Sequence, residues 1–433
     1  MCSAIVGIFV SISAFSAEVP ALPPSTNAVE MGLDLLVAQS LIENPEIRFY
    51  ETEIAAAKGG RRQAGIYANP ELSTQVGRQS ISGPGPGSSA EGASWAVSVV
   101  QTFEYPGRIA LRRAIANQDI KLAELGLDQF KATLAAQART LGYDLIIKRQ
   151  KAEAVSEVAN RLQELLSVLV QRDPAGIAPL IELRIVESAV ITFRKQAIDA
   201  NRELQRAVFA INLLRGVPLD STLRIKAEAI MFSELPAKLT LLGAARTRNF
   251  NILMRQAELE QQGLKVNLSE NQRWPEISVG PFVSQDRAGR PDTVAGIGIS
   301  LPLPLWNRNA GNMEVAKARQ QQADASLFVT QRNVEQQVLD EWMAYTLKQQ
   351  ELNRWSNDTI DRIQEAAQLG DRHYRLGSLP IATYIELQRE YVEAVGSILD
   401  LRGEAMKSLQ QLQVLTRQNL GAGTPVPTTS SNQ

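Results

Sequence analysis

Few residues in this chain can do chemistry. Among the usual metal ligands, nucleophiles and bases it has one histidine, His373, and one cysteine, Cys2. Disulfides, Cys/His zinc sites and histidine-based triads therefore cannot be built within one copy. With no cysteine beside it, His373 reads as a surface residue rather than a ligand. Carboxylates are plentiful but scattered, and an enzyme has nothing else to recommend it. No catalytic residue, cofactor or metal site is expected.

The bulk composition excludes a further class. Lysine plus arginine (45) balance aspartate plus glutamate (46), so there is no basic field for a nucleic-acid partner. With 433 residues, 44% hydrophobic and only 6% aromatic, the chain fits one elongated object better than several globular domains. The apolar run "AIVGIFVSISAF" at 4–15 is too short for a transmembrane helix. Followed by "SAEVPALPP", with small residues at Ala14 and Ser16, it predicts a signal peptide over 1–17, cleaved near Ser16 or Ala17. A disordered or buried apolar N-terminus is the alternative. No other stretch reaches the roughly 18 apolar residues of a membrane helix. An exported chain of this kind is a soluble periplasmic protein, a secreted protein or a β-barrel.

The elements that would position any site repeat along the chain. "GIAP" at Gly176–Pro179 returns as "GSLP" at Gly377–Pro380, 201 residues later, and "NPEL" at Asn69–Leu72 as "WPEI" at Trp274–Ile277, 205 later. After the first of these turns, Leu183, Val186, Val190, Phe193, Ala197, Ala200, Leu204, Ala207, Ile211 and Leu214 form an a/d seam. The 201-residue shift lands on a second seam, Tyr384, Leu387, Tyr391, Ala394, Ile398, Leu401, Ala405, Ser408, Leu412 and Leu415. A third follows the heptad through Leu134, Ala138, Leu141, Leu145, Lys148, Ala152, Val155, Ala159, Leu162, Leu166 and Leu169, with one polar interruption. Pro174, Gly176 and Pro179 break the helix between the third seam and the first. Each half is thus expected to be a helical hairpin whose ascending arm in the first half, Arg108 to Val170, spans ~90 Å.

Short alternating segments precede each hairpin. "ELSTQVG" and "SWAVSVVQTF" alternate in the first half; Ile277, Val279, Val283 and then Ile297, Ile299, Leu301 do so in the second. Their lengths suit membrane-spanning strands of roughly 9 to 11 residues. "SISGPGPGSSAEGA" and "SQDRAGRP" read as exposed loops between paired strands. Surface hairpins on a soluble core are the alternative, but four strands cannot cover helices this long. Nor can four strands close a barrel, for which about eight is the minimum, so several chains must share it. The fold class is mainly α with a small β part: a long coiled coil joined to a shared β-barrel, internally duplicated.

The stretch "GIGISLPLPLWNRNAGNMEVAKARQ" then reads as a strand leaving the membrane, two prolines that end its ladder, and the start of a coil. "VVQTFEYPGRIALRRAIANQ" is its first-half counterpart. Tyr105 and Trp306 fit the aromatic girdle of a membrane interface, or ordinary packing at the junction.

Essentially the whole chain after the signal resembles the outer-membrane factors of tripartite efflux systems, the TolC type. The resemblance is carried by the duplicated strand–strand–hairpin, the "PLPLWNRNAG" junction and the "YRLGSLPIATYIELQREYVEA" turn. The junction is most similar to the heavy-metal (cobalt-zinc-cadmium) subgroup, although "EYPGR" stands where that subgroup usually has a glycine-glycine-basic turn. The resemblance implies a homotrimer with four strands per chain in a twelve-strand barrel within outer-membrane lipid, continued by a twelve-helix periplasmic tunnel. It implies a passive exit duct served by an inner-membrane resistance-nodulation-division pump and a periplasmic adaptor (membrane fusion protein).

The same resemblance assigns sites. Tyr374 matches a gate-linking tyrosine and Glu386 one of two acidic gate positions. The other falls on Thr383, whose first-half equivalent is Glu182, so a carboxylate ring would be shared between halves. Three copies around an axis would attract cations; alternatively, Glu182 and Glu386 are solvated coil charges. Gly176, Pro179, Gly377 and Pro380, with Arg375, would shape the tips that meet the adaptor, or serve as turn residues only. The expected division is signal 1–17, first repeat 18–215, connector 216–240, second repeat 241–420 and a disordered tail 421–433. A soluble periplasmic adaptor or scaffold is the rival reading. Adaptors carry one hairpin with flanking β-segments, whereas two hairpins and few strands are expected here.

Overall fold

The computed structural model describes residues 30–82, 89–171, 177–226, 232–288, 290–355 and 358–420. The expected signal, the tail 421–433 and Gly176 lie outside them. In chain order the elements are β1 (Glu30–Met31), α1 (Leu33–Glu43), α2 (Glu46–Ala64), β2 (Glu71–Ser82), β3 (Ser89–Phe103), α3 (Arg108–Val170), α4 (Ile177–Arg215) and β4 (Arg224–Ile225). They continue as α5 (Lys238–Arg248), α6 (Phe250–Asn271), β5 (Ile277–Asp286), β6 (Asp292–Ser300), α7 (Ala310–Arg354), α8 (Thr359–Arg375) and α9 (Ile381–Thr416).

The 63 residues of α3 contain no proline, so nothing interrupts the backbone ladder. At 1.5 Å per residue the helix is ~95 Å long, and it runs over the expected bounds. Of its expected seam, Leu134, Ala138, Leu145, Ala152, Val155, Ala159 and Leu162 are in the core, while Leu141, Lys148, Leu166 and Leu169 are half-buried. Val186, Val190, Phe193, Ala207, Ile211 and Leu214 do the same for α4. Each fully buried large side chain contributes ~1.5–3 kcal/mol, which no single helix of this composition could recover in water.

Two details of the second half depart from the expected pattern. Its ascending arm is two helices, α7 and α8, separated at Trp355–Asp358, where Trp355 adopts an extended backbone. "WSND" supplies turn-forming Ser, Asn and Asp there. The α9 seam is buried as expected at Tyr384, Tyr391, Ala405, Ser408 and Leu412, but between Leu387 and Leu401 it runs one position off. Gln388, Val395 and Leu399 are buried, whereas Leu387 is exposed and Ala394, Ile398 and Leu401 are only half-buried. The cause is that α9 packs chiefly on α3, α7 and α8, and its buried stripe turns toward α8, where Gln388 Nε2 donates to the Ala367 carbonyl at 2.9 Å.

The two halves share local details. Asn44 donates through Nδ2 to the Leu214 carbonyl at 2.8 Å, and Asn249 donates to the Leu415 carbonyl at 2.9 Å. Each asparagine also caps the helix that follows, accepting from the Glu46 or Asn251 N–H at 2.9 Å. Inside the expected connector, β4 pairs in parallel with β1.

The four longer strands form one antiparallel sheet in the order β2-β3-β5-β6. Helices α2, α3, α6 and α7 pack in the same order, so each continues a strand. The registers align one face as Leu72, Thr74, Val76 on β2; Trp95, Val97, Val99 on β3; Val279, Pro281, Val283 on β5; and Ala295, Ile297, Ile299 on β6. The opposite face carries Ser73, Gln75, Ser94, Ser98, Thr102, Ser278, Ser284 and Ser300. Val76 is 87% exposed and Ile297 and Ile299 are each 73% exposed. Among the described residues no further strand pairs with β2 or β6 at the sheet edges.

Candidate functional site: hairpin tip and strand–helix collar

At the tip, α8 ends in a Schellman turn. The Ser378 N–H donates to the His373 carbonyl at 3.0 Å and the Gly377 N–H to the Tyr374 carbonyl at 2.9 Å. Gly377 has φ +74°, a backbone state that a Cβ strains, which accounts for this glycine. Pro380 then caps α9 in an extended conformation, its carbonyl accepting from the Tyr384 N–H. Pro179 lies in the first turn of α4, where proline leaves no helix donor wasted. His373 Nδ1 lies 3.2 Å from Ser378 Oγ and is exposed.

Tyr374 stacks on Tyr384 with ring centroids 5.1 Å apart. The Tyr384 ring is fully buried, and its hydroxyl donates to Asp371 Oδ1 at 3.0 Å. Arg375 Nε holds the other oxygen of Asp371 at 2.9 Å. Arg375, expected as a docking residue, is thus part of the clasp that joins the two arms of the hairpin. Burial first, then the Asp371 carboxylate, pushes the Tyr384 hydroxyl well above the ordinary tyrosine range.

Deeper in the bundle a polar layer crosses three helices. Arg161 on α3 donates to Glu157 one turn earlier, and Gln364 on α8 donates to the second oxygen of Glu157 at 3.1 Å. Arg161 Nη1 and Gln388 Oε1 are buried without a hydrogen-bond partner among the described residues. Tyr391 lies against the same layer, its hydroxyl pKa raised by burial and then by Glu157.

The expected gate positions are at the surface of the single chain. Thr383, Glu386 and Glu182 are exposed, and Glu386 accepts from Arg389 at 3.0 Å. Between α4 and α9 near the tip runs a groove of 540 Å³ lined by Leu180, Ile181, Ile185, Phe193, Ile385 and the cations Arg184 and Arg389.

At the other end of the helices, strands meet coils at a collar. Arg108, 6% exposed, donates to Asn271 Oδ1 (3.1 Å), Glu276 Oε1 (2.6 Å) and the Trp274 carbonyl (2.8 Å), tying the start of α3 to the segment leading into β5. Tyr105 stacks on Trp274 at 5.4 Å and Trp306 is 93% exposed. Among the described residues no helix is long and apolar enough to cross a membrane, and no three His, Cys, Asp or Glu side chains gather to hold a metal.

Sequence reasoning missed Arg108, the Asp371–Tyr384 clasp and the Glu157–Arg161–Gln364 layer. The basic residue of "EYPGR" was the available signal for the first. Charges at scattered helical positions, meeting only across helices, carried none for the others.

An extended antiparallel sheet, with a largely apolar face and an opposite face carrying several hydroxyl side chains, is joined to very long coiled helices. The family model of the outer membrane efflux proteins matches residues 241–416, within the second half of the chain. It is 23% identical to the cobalt-zinc-cadmium resistance protein CzcC of Cupriavidus metallidurans over 60% of this chain and 60% of that protein. The chain thus spans well under two thirds of the length of that relative. It is 21% identical to the pyoverdine export outer membrane protein OpmQ of Pseudomonas aeruginosa, over 86% of this chain and 81% of that one. Its fold superposes on the Campylobacter jejuni CmeC outer membrane channel with a TM-score of 0.71 at 12% identity, covering 96% of this chain and 94% of that one.

Proposed function

We propose that the protein is the exit duct of a tripartite efflux pump, a passive channel and not an enzyme, standing in the outer membrane with a large periplasmic portion. The observation that carries this is the four-stranded sheet with an exposed apolar face and two edges that no strand among the described residues covers. In lipid each unpaired backbone group costs several kcal/mol, so such a sheet must be closed by its own copies. Three chains of four strands make a barrel of twelve, the apolar face outward and the hydroxyl face toward a water-filled lumen. The paired asparagine caps and the repeated order of helix, two strands and hairpin support an internally duplicated chain.

The helices below would form the periplasmic tunnel, narrowed at the tips where Tyr374, Thr383, Glu386 and Glu182 lie. Gly176, Pro179, Gly377 and Pro380 would present the tips to a periplasmic adaptor, which links the duct to an inner-membrane resistance-nodulation-division pump. Likeness to the cobalt-zinc-cadmium resistance protein CzcC favours heavy-metal cations as cargo; likeness to OpmQ favours pyoverdine. The test is reconstitution of the purified chain in planar bilayers. Discrete conductance steps without any energy source support the reading. A protein that remains water-soluble and forms no pores sinks it.

A further inference from the structure

Resting on that channel reading, we propose that the helix-proximal rim of the barrel binds the phosphate headgroups of anionic phospholipids through Arg273 and Arg308. The register brings four chain segments to one level: Phe103 pairs with Ile277, Ser278 with Ser300, and Glu71 with Val100. Just beyond this level stand Tyr67, Tyr105, Trp274 and Trp306, the last two 51% and 93% exposed. Leu301, Leu303 and Leu305, also exposed, continue the apolar face of β6 into the same rim.

The charges at this rim are lopsided. Its acids are already held: Glu104 by Arg112 at 2.7 Å, Glu276 by Arg108 at 2.6 Å and Glu270 by Lys317 at 3.7 Å. Glu71 lies on the hydroxyl-lined face, opposite to Leu72, and Glu314 lies in the second turn of α7. Arg273 and Arg308 are exposed, and neither has a side-chain partner among the described residues. At the far end of the sheet the numbers of charges match: Arg78, Arg287 and Arg290 stand against Glu91, Asp286 and Asp292, with Arg78 and Glu91 3.6 Å apart.

A guanidinium beside an indole and a leucine-rich rim suits the ester-phosphate level of a bilayer, where a ring partitions and an arginine takes a phosphate in two parallel hydrogen bonds. A free phosphate would leave the three leucines bare, so the occupant is a bilayer lipid. Because the rim at the other end is charge-balanced, the preference for anionic lipid should be confined to the periplasmic leaflet.

The full-length protein is reconstituted into vesicles of mixed phosphatidylethanolamine and phosphatidylglycerol, extracted into mild detergent, and its retained lipids are quantified. Wild type should retain phosphatidylglycerol above its bulk fraction. Replacing arginine by glutamine at 273 and 308 should lower that enrichment by about five-fold for each arginine removed. Arg273→Lys with Arg308→Lys should keep most of it, and Arg78→Gln with Arg287→Gln should leave it unchanged. Retention at the bulk ratio by a wild type that inserts and conducts, or undiminished enrichment in the double glutamine variant, overturns the inference and leaves the channel standing. Failure of the wild type to insert into any vesicle overturns both.

Discussion

The hairpin clasp yields a sharp prediction. Tyr384→Phe removes one hydroxyl from a ring with no exposed surface and leaves the stack on Tyr374 intact. What is lost is a 3.0 Å hydrogen bond to a carboxylate whose side chain is only 15% exposed. A bond to a charged group contributes ~1.5–3 kcal/mol, and Asp371 keeps only Arg375 as compensation. The amides that report opening of this turn are those of Gly377, Ser378 and Tyr384, each bonded within the tip. Under exchange limited by local opening, that energy corresponds to ~10- to 150-fold faster hydrogen exchange at these amides. Amides in the middle of α3 should not change. Asp371→Asn combined with Tyr384→Phe should be less than additive, since the two remove one interaction. Unchanged exchange at the tip in Tyr384→Phe, or strict additivity of the pair, would refute the clasp.

Three further outcomes follow from the geometry. Leu412 is fully buried and Leu204 only partly, so Leu412→Asp should abolish recovery of assembled protein while Leu204→Asp leaves a measurable fraction, read by native gel. If three copies of Glu386 ring the tip, Glu386→Gln should weaken cation preference in single-channel recordings while Tyr374→Phe raises conductance; if only Glu182→Gln changes selectivity, the ring belongs to the first hairpin. Burial raises the Tyr345 hydroxyl to about 12, and its donor bond to the Ser233 carbonyl needs the protonated form. Its stabilising contribution is therefore complete below the ordinary tyrosine pKa of ~10 and is lost as pH rises through the folded value. Melting of wild type should fall more steeply than that of Tyr345→Phe across this window.

Much of the architecture was legible because it is periodic. The α3 seam repeats at heptad spacing without proline, and the strands alternate mostly apolar with polar or small residues, so period gave much of the bounds and faces. Between Leu387 and Leu401 the α9 seam was misplaced by one position because packing against the neighbouring helices decides it, and the buried residue that shifts it, Gln388, is polar. The break between α7 and α8 sits in "WSND", a turn signal that resemblance to the uninterrupted first half overrode. At the site, Gly377 and Pro380 were readable from turn chemistry. The clasp was not, since Asp371 and Tyr384 meet only when the hairpin folds. Arg108 looked like one more basic residue at a turn until burial and its three acceptors gave it a place.

The central claim is that the sheet is closed by copies of its own chain, and native mass spectrometry of the detergent-extracted protein tests it most directly. The account predicts a single folded species of three 47.5 kDa chains, less any cleaved signal. A folded, monodisperse single chain in the same detergent would contradict it.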